Sequence, residues 1–254
     1  MKQTLRLGRV AGFAVGVHWS VLVIMVLLAQ SLATGVLPAR APGTAAPVAW
    51  PLGAAGAVLF LVSLLAHELA HALVARHFGV RVQQVTLWLL GGMAEFRDEP
   101  PSARADLLMA GAGPLTSVAA GVGFGSAAVL LSAVRGPVAV VVVLLWLAMI
   151  NLILAGFNLL PGAPLDGGRI LRAALWWRHG DRARAALTAA RAGHVLGLTL
   201  VLAGLAELMV FGMLDGVWTT LVGWFLVVAA AAEGTAARSA GGAQRRQPRT
   251  GVGR

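Results

Sequence analysis

Hydrophobic positions in this chain come in long unbroken runs rather than at the spacing of an amphipathic element. Residues free of Asp, Glu, Lys and Arg extend from Val10 to Ala39, from Ala41 to Ala66, from Leu107 to Val134 and from Gly136 to Leu165. Each run exceeds the roughly 20 apolar residues that a helix needs to cross hydrocarbon. Two shorter runs follow, about Ala192 to Leu214 and Gly216 to Ala232, parted by Asp215-Gly216. The pattern predicts an all-α polytopic membrane protein with about six transmembrane helices. One stretch departs from it. Between the second and third runs, Val82, Val85, Leu87 and Leu89 alternate imperfectly with Gln83, Gln84, Thr86 and Trp88, and Gly91-Gly92 then lead into Met93 to Phe96. A short β-hairpin turning at the glycines is predicted. Its apolar content makes it membrane-associated, where backbone groups need a partner or a cavity.

Composition agrees with the pattern: 58% of the 254 residues are hydrophobic and 12% charged, and the mean hydropathy is +0.81. Lys2, Arg6 and Arg9 ahead of the first run, with Ser31-Leu32-Ala33 near its end, imitate a secretory signal. The run is longer than a signal's apolar region, so a span is expected instead. The net charge of +10 follows from topology. With the N-terminus inside, every Lys and Arg except Arg40 and Arg135 falls on an inner segment, which predicts cytoplasmic N- and C-termini. Anionic lipid then suffices as partner for the basic surface, and nucleic acid is not needed. Residues 1–235 read as one six-span domain, and the Gly-, Ala- and Arg-rich residues 236–254 as a disordered basic cytoplasmic tail.

The second run continues into "AHELAHALVARH", where His67, Glu68 and His71 interrupt Leu, Val and Ala. An ionisable side chain inside hydrocarbon costs on the order of 2–3 kcal/mol, so three within five residues need a compensating partner. Residues four apart share a helix face, so His67 and His71 are placed to bind one metal ion, and Glu68 to reach a water on it. The competing reading is a pair of core histidines bonded to backbone carbonyls. With no cysteine in the chain, metal ligands must be nitrogen or oxygen. A catalytic zinc takes three protein ligands and keeps a fourth position open. Most of the ten acidic residues lie in loops or near span ends, and Glu207 sits toward the outer side of its span. Asp166 has the required depth, at the inner end of the fourth run, where Pro161, Gly162 and Pro164 must break the helix. Its alternative is the N-cap of a basic helix beginning near Gly167. Asn158 belongs to the same broken segment, as an oxyanion donor or as a cap of the broken helix. Gly113, Ser117, Gly121 and Gly125 recur every four residues in the third run and predict a groove for close helix packing.

These residues resemble the site-2 protease family of intramembrane zinc metalloproteases. The likeness rests on His67-Glu68-Leu69-Ala70-His71 and on "NLLPGAPLDGG" from Asn158 to Gly168, with Gly91-Gly92 and "GAGPLTS" from Gly111 to Ser117 in support. It covers about residues 1 to 235 and points to the compact six-span subgroup. The resemblance implies that His67, His71 and Asp166 bind one Zn2+, that Glu68 is the catalytic acid/base and that Asn158 contacts the scissile peptide. The activity it implies is regulated intramembrane proteolysis of transmembrane protein substrates, such as anti-sigma factors or membrane-tethered transcription factors. The hairpin residues Gly91, Gly92, Met93 and Ala94 are candidates for binding substrate as an added strand; a plain interfacial loop is the alternative. Members often carry nucleotide-sensing or peptide-binding modules, for which these 254 residues leave no room, and Ser117 stands where relatives often have Asn. The rival function is a membrane transporter of zinc or another metal. Transporters usually show inverted repeats and polar groups along a path through the bilayer, neither of which is visible here.

Overall fold

The structure is a computed structural model that describes residues 5–88, 91–211 and 215–246. Six helices in it are long and apolar enough to cross a membrane: Ser20–Arg40, Ala46–His77, Ala103–Ala133, Val138–Asn158, Arg182–Val210 and Gly216–Ser239. Leu22, Val26, Val62, Leu115 and Val129 are exposed along the first three, as befits side chains meeting lipid rather than water. The chain is a multi-pass membrane protein. It divides into two compact units, Met1–Pro101 with Gly111–Phe157, and Ser102–Ala110 with Asn158–Arg254.

The first unit opens with a strand pair that the hydrophobic pattern did not announce. Strands β1 (Leu5–Val10) and β2 (Phe13–Val17) form an antiparallel hairpin. Its turn is Ala11-Gly12, at φ 51° and 88°, the doubly left-handed pair that matches strand twist. Arg76 fixes this turn: its Nη1 donates to Ala11 O at 2.8 Å, and its guanidinium covers the Phe13 ring at 4.8 Å. Strand β2 then pairs in parallel with β3 (Val82–Trp88), Val15, Gly16 and Val17 facing Val85, Thr86 and Leu87. The expected hairpin is the antiparallel pair of β3 with β4 (Gly91–Phe96), so it forms half of a four-stranded sheet in the order β1-β2-β3-β4. Gly91 and Gly92 do not make the turn. They are the first residues of β4, opposite Trp88 and Leu87, while Leu89 and Leu90 lie outside the described residues.

Helix α1 (Ser20–Gln30) passes through a wider π-helical stretch, Ser31–Val36, into the short α2 (Leu37–Arg40). Against it lies α3 (Ala46–His77), packed closely enough that a Cβ at Gly53 would stand 2.5 Å from Ala29 O. The core of this unit joins Leu32, Leu37 and Ala49 to Val143, Trp146 and Leu147 of α5 (Val138–Asn158). A second cluster, Phe13, Val15, Ala72 and Val85, seats the sheet on the far end of α3. Helix α4 (Ala103–Ala133) approaches α5 at Gly121, where a Cβ would be 2.9 Å from Leu152 and 3.1 Å from Ala148 O.

The second unit holds the first turns of α4, residues 159–165, α6 (Asp166–His179), α7 (Arg182–Phe211) and α8 (Asp215–Arg246). Helical structure in α5 stops at Asn158 and resumes at Asp166, across the Pro161-Gly162-Ala163-Pro164 stretch. Glycine contacts dominate the packing. A Cβ at Gly162 would stand 2.6 Å from Gly193 Cα, and Cβ atoms at Gly197, Gly204, Gly216 and Gly223 would each meet the backbone of the facing helix of the α7–α8 pair within 3 Å. Helices without side chains at the crossing gain dispersion contacts that lipid tails cannot match. Helix α8 runs on to Arg246, into the segment set apart as a tail, and residues 247–254 lie outside the described residues.

Candidate metal centre

His67, Glu68 and His71 lie on α3, beyond the apolar half that packs against α1, and all three are buried. One helical turn separates the imidazoles, and their Nε2 atoms come within 3.2 Å of each other, with the rings nearly perpendicular at 79°. Two nitrogens bound to one tetrahedral zinc at its usual bond length are roughly 3.3 Å apart, so the pair fits that ion without rearrangement. His67 Nδ1 is 2.9 Å from Ser117 Oγ on α4. In the tautomer that donates Nδ1–H to this hydroxyl, Nε2 keeps the lone pair that a metal needs.

The backbone of α4 comes close on the same side. A Cβ at Gly113 would lie 2.5 Å from His67 Nε2 and nearer still to His71 Nε2. The stripe of small residues therefore does two things. Gly121 and Gly125 face α5, as helix packing predicts, whereas Gly113 and Ser117 face the histidines. Both were missed as site residues because a four-residue repeat of small side chains is the ordinary signature of packing.

Glu68 meets the sheet. A Cβ at Gly92 would collide with its Cγ and lie 2.5 Å from Cδ and 2.7 Å from Oε1, so the start of β4 rests directly on this carboxylate. Gly91, Met93 and Ala94 pair through β4 with Trp88, Thr86 and Val85; their side chains lie outside what is described. At the open end of the hairpin, Arg81 donates Nε–H and Nη2–H to Asp98 at 2.8 and 2.7 Å and its backbone N–H to Oδ2 at 3.1 Å. These bonds from Arg81 hold the Asp98 carboxyl down at about 2.

In the second unit, Asp166 is the first residue of α6 rather than its N-cap. Leu165, with extended ψ of 161°, occupies the cap position and makes no side-chain cap bond. Asp166 is buried, and Gly167 and Gly168 behind it pack so tightly on Leu159, Leu160 and Gly162 that neither has room for a Cβ. Asn158 closes α5 and is half-buried. Sequence reasoning also passed over Asp106, reading it as a residue near a span end. It is completely buried, and Arg172 grips it with Nε and Nη2 on separate oxygens, both at 2.8 Å. Glu207, in α7, accepts a 3.1 Å hydrogen bond from Thr219 Oγ1 of α8.

Comparison with known proteins places these features among peptidases. The sequence profile of peptidase family M50 matches residues 55–135 and 128–202. Over 235 residues the chain is 54% identical to Rip3 of Mycobacterium tuberculosis, a presumed zinc metalloprotease, covering 92% of this chain and 60% of that protein. It is 36% identical over 158 residues to the zinc metalloprotease MJ0392 of Methanocaldococcus jannaschii, covering 59% of this chain and 43% of that one. The chain thus spans about three fifths, or less, of the length of these relatives. Among solved structures, the site-2 protease from Methanocaldococcus jannaschii superposes with a TM-score of 0.60 at 28% identity, over 91% of this chain and 94% of that one.

Proposed function

Because the chain belongs to peptidase family M50, we propose that it is an intramembrane zinc metallopeptidase that hydrolyses peptide bonds within or beside the membrane-spanning segments of other proteins. The observation that carries this reading is the pair of Nε2 atoms 3.2 Å apart with Glu68 next to them in sequence. His67, His71 and Asp166 are all buried and offer two imidazole nitrogens and one carboxylate oxygen, a donor set suited to a catalytic zinc that keeps one position open. When bound, the zinc supplies a Lewis acid that lowers the pKa of water and polarises the scissile carbonyl.

The chain's own residues do the rest. Glu68 takes a proton from the attacking water and returns it to the leaving amine. Asn158 donates its amide N–H to the carbonyl oxygen as negative charge develops there. The backbone of Gly91 to Ala94 receives the substrate as an added strand, which also unwinds it, since a helical substrate keeps its carbonyls in i to i−4 bonds. The close contact of Gly92 with Glu68 supports this role, because a strand laid on β4 passes near the carboxylate. Both termini, and the site with them, face the cytoplasm in this reading, which rests on the distribution of Lys and Arg. The substrates are those of regulated intramembrane proteolysis, membrane-tethered transcription factors or anti-sigma factors, as the likeness to the site-2 protease supports.

The deciding experiment compares the purified chain with Glu68→Gln in detergent against tagged membrane-helix substrates. The variant is expected to keep one zinc per chain and to lose cleavage. Equal cleavage by the two proteins would overturn the assignment.

A further inference from the structure

We propose that Asp106 and Arg169 are positioning residues for Asp166: a buried carboxylate on α4 holds the arginines of α6 and thereby sets the first turn of that helix, which carries the metal-ligating side chain. The inference deepens the proposed function and rests on Asp166 being a ligand.

Asp106 is fully buried at the start of α4. Ser102 precedes it, its Oγ accepting from the backbone N–H of Ala105 at 3.2 Å, so this end of the helix is already capped without the Asp106 side chain. Both Asp106 oxygens are instead committed to α6. Arg172 takes one with each prong at 2.8 Å, and Arg169 Nη2 approaches Oδ1 at 3.7 Å. A two-pronged bond fixes orientation as well as distance. Arg169 stands one helical turn after Asp166, on the same face. Burial pushes its guanidinium down from the ordinary range, and the charges of Asp106, Asp166 and Glu233 work against that push. Arg169 therefore lies in the field of three carboxylates, the clamped Asp106, the candidate ligand Asp166 and Glu233 of α8.

The close packing of Gly167 and Gly168 on Leu159, Leu160 and Gly162 fixes the backbone behind Asp166, and the ion pairs of α6 with Asp106 add a second hold on the same turn. Gly167 and Gly168 have no side chains, and residues 159–165 supply no helix ahead of Asp166. A carboxylate that must meet a metal in one rotamer needs neighbours that bond it or fix its backbone, and loss of such neighbours typically weakens metal binding about 10- to 100-fold. Arg172 anchors the helix, and Arg169 faces the ligand.

The test uses the full chain in detergent and four variants: Asp106→Asn, Asp106→Glu, Arg169→Gln and Asp166→Asn. Zinc affinity is measured by competition with a chromophoric chelator, site geometry by the visible spectrum of the cobalt-loaded protein, and stability by thermal unfolding with zinc removed. Asp106→Asn and Arg169→Gln are expected to weaken zinc binding about 10- to 100-fold and to alter the cobalt spectrum, with Asp106→Glu recovering part of the loss. Unchanged affinity and spectrum in both would overturn the proposal. So would a fall in the unfolding temperature of the zinc-free protein alone, which marks a structural ion pair. Should Asp106→Asn fail to fold, Arg169→Gln decides, because it leaves the Asp106–Arg172 bond in place. Asp166→Asn tests the underlying reading separately: zinc affinity that survives this substitution removes Asp166 from the site, whatever the other variants do.

Discussion

Gly92 lies against Glu68 so closely that the smallest side chain would strike the carboxylate. A strand and a proposed catalytic acid/base therefore share one space, and the absence of a Cβ at 92 is what lets them do so. Gly92→Ala is expected to displace Glu68 while sparing the histidines. A misplacement of about 1 Å near the chemistry costs on the order of 100-fold in rate, so kcat/KM should fall by about that factor with zinc content unchanged. Stoichiometric zinc together with wild-type turnover would refute the contact.

Gly113 sits opposite the imidazole pair, where an added methyl group would press on the Nε2 atoms of both His67 and His71. Gly113→Ala should reduce zinc affinity by at least about 100-fold, the upper end of what outer neighbours of a metal site usually cause. Gly125→Ala is the control, since a Cβ there would find Ala148 at an ordinary 3.7 Å. Metal analysis of the two purified variants distinguishes them.

Ser117 accepts or donates at His67 Nδ1 over 2.9 Å. Removing the hydroxyl frees the ring to rotate and to change tautomer. Ser117→Ala is expected to weaken zinc binding about 10- to 100-fold, and Ser117→Asn, which keeps a polar group in reach, should retain most of it. Chelator competition measures both.

Asp98 offers a pH dependence with a defined sign. Its folded pKa is depressed to about 2 by the bonds from Arg81, below the ordinary value of about 3.9. The pairing therefore contributes fully above that ordinary value and is lost as pH falls from near 4 towards 2. The site is exposed, so the effect is local fraying at the open end of β3–β4 rather than global unfolding. A carboxyl carbon titration by NMR should give Asp98 a midpoint near 2, rising towards the ordinary range in Arg81→Gln, which removes the side-chain bonds and keeps the bond from the backbone N–H of residue 81.

The helices of this protein are legible because lipid asks for long apolar runs, and nothing subtler than counting finds them. The runs also mislead. The residues that matter most, His67, Glu68 and His71, lie just beyond the uncharged run that ends at Ala66, yet α3 carries on to His77. The N-terminal strands were absorbed into the first run and its basic flank, although Leu5-Arg6-Leu7 alternates and Ala11-Gly12 suits a two-residue turn. The shared face of His67 and His71 was readable because a one-turn spacing turns sequence directly into geometry. Asp106 was not, since its partner Arg172 is 66 residues away and no local pattern connects them. Ser117 and Gly113 hid inside a repeat whose other half, Gly121 and Gly125, has the plainer purpose.

The parallel pairing of β2 with β3 joins chain segments that flank the first two membrane crossings. Strand β3 aligns the strand that rests on Glu68 through a local hairpin, whereas its other edge is completed by β2 only when the ends of both crossings have come together. Long loops close late and slowly. During biogenesis, then, the four-stranded sheet is completed after the helix bearing the histidines.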